Sequence, residues 1–317
     1  MQKKIITVFG ATGAQGGGLA RAILNDKNSE FSVRAVTRDG NSDKAKALAG
    51  MGAEVVVADI DDPESIKHVL QGAYGAFFVT FYWAHMNPDR EIAEIQNMAR
   101  AAKETGIRHA IWSTLDDTKI FYPLDDDRMP TLLEKFKVPH FETKGGSDHF
   151  FTDYGVPVTF LQTTFYWDNF IYFGMGPRKG ADGVLAVTFP MGDKKLPGIA
   201  AEDIGKCAYG IFKRGPEFIG KTVGISGEHL SIAEMAAAMT KTLGQEVRYN
   251  EITPEVYRSF GFPGAEDTGN MFQFYRDEND YFRKSRDVAF SKSLNPELQS
   301  FDKWLAANAE KLKATIS

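Results

Sequence analysis

One cysteine, Cys207, is all that 317 residues contain, so the chain can form no internal disulfide and no multi-cysteine zinc site. Basic blocks are absent too. Lys and Arg number 37 against 42 Asp and Glu, and the net charge of −5 carries no electrostatic footprint of nucleic-acid binding. The longest apolar run, Ala76 to Ala84, is far too short to span a bilayer. No repeat with a period of 20 to 50 residues is visible. Lys3-Lys4 followed by apolar residues mimics a signal peptide, but the run is short and leads directly into a glycine turn. These absences leave a globular chain, 43% hydrophobic and 25% charged, with material for one large or two ordinary domains. It is expected in the cytoplasm or the nucleus, without nucleic-acid or membrane partners.

What is present is concentrated near the start. Ile5 to Phe9 reads as a buried strand, and Leu19, Ala20, Ala22, Ile23 and Leu24 recur at helical spacing. Between them lies Gly10-Ala11-Thr12-Gly13-Ala14-Gln15-Gly16, a strand–glycine turn–helix arrangement. Gly10 lets the chain leave the strand sharply, Gly13 keeps side chains away from a pyrophosphate, and Gly16 lets the helix approach the sheet. The N–H groups and positive dipole end of that helix suit phosphates, so the stretch predicts dinucleotide binding.

Downstream, strands near 31–37, 54–58, 76–80, 107–112 and 156–163 alternate with helical patterns, among them a long helix over His140 to Tyr154. That alternation predicts the α/β class: a Rossmann doubly wound parallel sheet with right-handed crossovers. Residues 1–165 form this domain, and 200–226 are expected to return to it. Residues 166–199 and 227–317, with aromatics crowded at Tyr166, Trp167, Phe170, Tyr172 and Phe173, form a smaller α+β C-terminal domain. Asp116 to Pro139 is acidic and proline-punctuated, and reads as a solvated insertion or a lid.

Where the second strand ends, about 20 positions past the glycines, an acidic residue would accept from a ribose 2′-OH. This strand ends Thr37-Arg38, and a guanidinium there suits a 2′-phosphate and stacks on adenine, favouring NADP(H) over NAD. Asp39 argues mildly the other way. Asp59 and Ile60, closing the third strand, are placed to meet the adenine, and a plain helix-capping role for Asp61 or Asp62 is equally natural. Thr80, Phe81 and Tyr82, closing the fourth, flank the middle of the cofactor.

Several segments resemble the NmrA-like family of atypical short-chain dehydrogenase/reductases, its redox-sensor members in particular. They are Val8 to Gly17, Val36-Thr37-Arg38, Val79 to Trp83, Gly261 to Ala265, Asn270 to Tyr275 and Leu298 to Leu305. The resemblance covers nearly the whole chain and implies an NADPH-binding protein, often regulatory rather than catalytic. Catalytic relatives carry a Tyr, a Lys four residues later and a Ser after the fifth strand. Here Ser113 and Lys144 stand in the Ser and Lys positions, and His140 stands where the tyrosine would be. The resemblance also places Tyr166-Trp167-Asp168-Asn169 near the nicotinamide. Ala93 replaces a basic residue, for which Arg90 could substitute. Two functions follow: a sensor that passes NADPH occupancy to a regulatory protein partner, or an NADPH-dependent reductase of a small carbonyl or quinone using His140, Ser113 or a Tyr from the second domain, such as Tyr166. The absent tyrosine favours the first; the lysine and serine keep the second open.

Overall fold

The computed structural model describes residues 2–316, and among them the chain forms two compact units. The first is built from Met1–Asp117, His140–Thr163 and Ala201–Val223. Its elements are β1 (Lys4–Val8), α1 (Ala14–Asn25), β2 (Phe31–Thr37), α2 (Asp43–Gly50), β3 (Glu54–Val57), α3 (Pro63–Leu70), β4 (Gly75–Phe78), α4 (Pro88–Glu104), β5 (His109–Thr114), α5 (Pro139–Gly145), α6 (His149–Asp153) and β6 (Val158–Gln162). The sheet has seven strands in the order Thr222–Gly224, β6, β5, β4, β1, β2, β3. The pairs from β6 to β3 are parallel, with Thr7 of β1 set between Arg34 of β2 and Ala76 of β4. This is the doubly wound sheet expected from the alternation.

One sheet face buries Phe9, Phe78, Trp112 and Phe160 against Ile66, Ile95, Met98 and Phe151 of α3, α4 and α6. On the other side α1 lies close to the helix Ala201–Arg214. A Cβ on Gly18 would strike Glu202 O, and one on Gly205 would strike Leu19 N, so only glycine permits this approach. The expected helix over 140–154 is two short helices instead. The first ends at Gly145, where a Cβ would lie 2.6 Å from Asp117 N, so glycine lets that helix end approach the 115–117 backbone, and residues 146–148 form the turn to the second.

The second unit comprises Thr118–Pro139, Thr164–Ala200 and Gly224–Ser317. Strand Lys195–Ile199 pairs in parallel with Phe165–Tyr166 and antiparallel with Glu228–Ser231, while Leu185–Phe189 pairs with Val247–Glu251 and Arg178–Lys179. Ser231 and Glu234 form a capping box at the start of helix Ile232–Leu243. Of the crowded aromatics, Trp167 and Phe170 are core, packed with Phe301 and Trp304, whereas Tyr172 and Phe173 are exposed.

The 118–139 segment departs most from expectation. Its acidic tips, Asp125 and Asp127, are solvated, but Tyr122, Met129 and Lys137 are buried. Lys137 Nζ donates to Asp126 O (2.7 Å) and Met129 O (2.8 Å), which satisfies the buried ammonium with carbonyls. Asn270 Nδ2 donates to Pro130 O (3.0 Å) and Lys137 O (2.6 Å), and Gln273 Nε2 to Arg128 O (2.6 Å). Arg258 holds both amides through their oxygens, at 3.1 and 2.8 Å. The segment is therefore fastened to helix Ala265–Asp277, and polar anchors at wide sequence separation are what composition could not reveal.

Candidate active site

The glycine stretch forms the centre of the candidate site. Gly10 has φ +63°, a conformation that favours glycine, and turns the chain out of β1. A Cβ on Gly16 would lie 2.5 Å from Gly10 O and 2.6 Å from Phe9 O, so this glycine lets α1 start against the strand end. Gly13 is the N-cap of α1, and no side chain caps that end. Gly10, Gly13 and Ala14 are exposed, Thr12 and Gln15 partly so, and Ala11 is buried. The result is an open cradle with the uncapped first-turn N–H groups of a helix behind it, which fits a pyrophosphate.

Around it stand the ends of the neighbouring strands. Arg38 is exposed and makes no ion pair among the described residues, while the Asp39 carboxylate accepts from Asn41 N at 2.8 Å. Asp59 Oδ1 accepts from Asp61 N, Asp62 caps α3, and Ile60 packs against the core edge. Arg90 does not stand in for the basic residue replaced by Ala93 with a free charge: it bonds Asp61 and approaches Glu94 at 3.2 Å. Thr80 and Tyr82 are buried and Phe81 is 54% exposed. Tyr166, Trp167, Asp168 and Asn169 belong to the second unit, where the Trp167 side chain is fully buried and the other three are partly exposed.

The three tentative catalytic residues end in different surroundings. Ser113 Oγ donates to Gln15 Oε1 at 2.7 Å, tying β5 to the first turn of α1. His140, 6% exposed, sits among rings, 4.7 Å from Trp83 and 4.8 Å from Phe141 between centroids. Lys144 lies against a carboxylate that sequence reasoning did not single out. Its Nζ is 3.2 Å from Glu91 Oε1, donates to Thr80 Oγ1 and sits 5.0 Å over the Trp112 ring. Thr80 Oγ1 in turn donates to Glu91 Oε1 at 2.6 Å, and Thr143 Oγ1 donates to Glu91 Oε2. A signal for Glu91 existed. The buried stripe of α4 is Ile95, Met98, Ala99 and Ala102, and stepping it back one turn lands on Glu91. Glu94 lies on the same stripe; burial pushes its carboxyl up, while His85 beside it pulls the other way.

Asp148 was missed as well. Its Oδ1 accepts from Trp112 Nε1 (2.8 Å) and Thr114 Oγ1 (2.7 Å). Desolvation outweighs those bonds and pushes its pKa up to about 7. The folded protein therefore binds a proton that the unfolded chain has released between about pH 4 and 7, and stability from this group falls as pH rises through that window. Asp148→Asn keeps both accepted bonds and removes the charge. Its folding stability, read by denaturant titration, is expected to match the wild type near pH 4 and to exceed it increasingly up to about pH 7, by up to about 4 kcal/mol at ~1.4 per pKa unit. A difference independent of pH would show that the carboxyl is not the titrating group.

Fold and site together define a dinucleotide-binding Rossmann class. The NmrA-like family matches residues 2–314, and this chain belongs to it. The oxidoreductase malD of Malbranchea aurantiaca is 30% identical over 263 residues, covering 78% of this chain and 75% of its own. The oxidoreductase FrzB of a Cladobotryum species is 28% identical over 295 residues, covering 85% and 83%. Among solved structures, NmrA, a negative transcriptional regulator, in complex with NADP is similar with a TM-score of 0.80 at 24% identity, covering 99% of this chain and 98% of its own. No helix among the described residues is long and apolar enough to cross a membrane.

Proposed function

We propose that this protein binds NADPH and acts as a redox sensor, reporting the NADPH/NADP ratio to a partner protein. In this reading the Gly10–Gly16 cradle holds the pyrophosphate, and Arg38 meets the 2′-phosphate. Asp59 and Ile60 receive the adenine, and Thr80, Phe81 and Tyr82 line the middle. Lys144 serves the nicotinamide ribose, and Tyr166, Asp168 and Asn169 serve the nicotinamide end. Bound cofactor would supply a hydride donor. The carrying observation is His140: the position that would deliver a proton to a forming alkoxide holds a buried imidazole packed on Trp83 and Phe141. With histidine and not tyrosine four residues before Lys144, binding energy is available to favour one conformation over another, which requires different affinities for the two.

Calorimetric titration tests the cofactor. Arg38→Ala is expected to weaken NADPH binding about 10–100-fold, the value of a charged hydrogen bond of roughly 1.5–3 kcal/mol, and to leave NADH nearly unchanged. Equal wild-type affinities for NADPH and NADH would overturn the preference. Turnover tests the sensor: NADPH consumption should stay at background across aldehydes, ketones and quinones. Hydrogen exchange on adding NADPH should change in 116–139 or 261–275.

A second reading, an NADPH-dependent oxidoreductase acting on a small carbonyl or quinone, is supported by relatives that are oxidoreductases and by the presence of Ser113 and Lys144. Robust turnover lost in both His140→Ala and Lys144→Ala would establish it.

A further inference from the structure

Lys144 has three N–H donors, and protein atoms surround them all: Thr80 Oγ1, Glu91 Oε1 at 3.2 Å and Thr80 O at 3.4 Å. Glu91 is fully buried and is itself fixed on both oxygens, by Thr80 on one side and Thr143 on the other. The three residues close a ring in which Lys144 donates to Thr80, Thr80 donates to Glu91, and Glu91 faces the ammonium. The carboxylate lies in the first turn of α4, at the helix end where the dipole favours negative charge. A ribose hydroxyl can accept from this lysine only by displacing one of these partners.

We infer that Glu91 is a latch on Lys144, a positioning residue that sets how available the lysine is and thereby sets cofactor affinity. This rests on the reading that the site binds NADPH. Where only a fraction of molecules present a competent lysine, apparent affinity falls by that fraction. Glu91 therefore tunes the protein to respond at higher NADPH concentration than its cradle and Arg38 alone would give. It also links ribose contact to the first turn of α4, since releasing Lys144 leaves Glu91 held by threonine hydroxyls only.

The test uses the full chain and four proteins: wild type, Glu91→Gln, Thr143→Ala and the double variant Glu91→Gln/Lys144→Gln. Glu91→Gln keeps shape and hydrogen-bonding capacity and removes the charge. Thr143→Ala keeps the charge and frees one carboxylate oxygen, so it remains informative if the first variant folds poorly. NADPH titration should show affinity raised about tenfold in Glu91→Gln and by a smaller factor in Thr143→Ala. The double variant should show no gain, because the effect acts through the lysine. Acetic anhydride labelling of Lys144 without NADPH, read by mass spectrometry, should be at least about fivefold faster in Glu91→Gln than in wild type, where the side chain is 11% exposed. Weakened or unchanged NADPH binding in Glu91→Gln with unchanged labelling overturns the latch. So does a gain that persists in the double variant. A wild type that binds no NADPH overturns the dinucleotide reading instead, and the labelling rates, which need no NADPH, tell the two failures apart.

Discussion

Lys144→Met is expected to cost about 3–5 kcal/mol of folding stability, the penalty for stranding one member of a buried ion pair. Glu91 is 0% exposed and Lys144 11% exposed in their side chains, so solvent cannot replace the lost ammonium. The two threonine hydroxyls still donate to Glu91, but neither carries charge, and the packing of the lysine over Trp112 is lost too. The double replacement Lys144→Met/Glu91→Gln should recover most of the loss, because no isolated charge then remains buried. Denaturant titration of the two variants reads both effects. Salt discriminates further: a buried pair is screened little, so the loss should persist in 0.5 M NaCl. A single variant within about 1 kcal/mol of wild type would mean that the pair is solvated and worth no more than a surface bridge.

The second large effect separates two glycines three residues apart. Gly13 is exposed at the N-cap with φ −90° and ψ −169°, extended backbone that any residue adopts. A Cβ there would sit 3.1 Å from Gly10 O, a contact that small shifts relieve. Gly13→Val should therefore fold normally and place its methyl groups in front of the helix N-terminus. NADPH affinity is expected to fall more than about 100-fold, a loss beyond ~2.7 kcal/mol. Gly16→Val should fail differently, since its Cβ meets two backbone oxygens at 2.5 and 2.6 Å and the turn itself must open. Overpacking of that kind costs about 3 kcal/mol or more. Thermal melts with NADPH titration distinguish the two. Normal binding by a folded Gly13→Val protein would remove the cradle from the proposed site.

Several elements were legible because local pattern and global fold agree there. Ile5 to Phe9 is an apolar run feeding glycines, Pro63 opens a helix, and the Ser231–Glu234 box starts another; each signal lies within a few residues of its structural consequence. Arg38 was placed by counting from the glycines, because a parallel sheet brings successive strand ends to one edge. Those facts are written in spacing. The close approach of Gly145 to the 115–117 backbone is not, because the two segments meet only in the fold. Nor does composition show that the acidic 118–139 segment is fastened by Asn270 and Gln273, more than 130 residues away. Lys144 illustrates the division most sharply. Its position in the sequence marked it as a site residue, but its partner is Glu91, on another helix and 53 positions earlier. Sequence alone determined the alternating strands and helices of the parallel sheet and which edge of it they present. Only tertiary structure decided which buried charges neutralise one another, because a low-dielectric interior forces pairing between whatever groups the fold brings together, however far apart they lie in the chain.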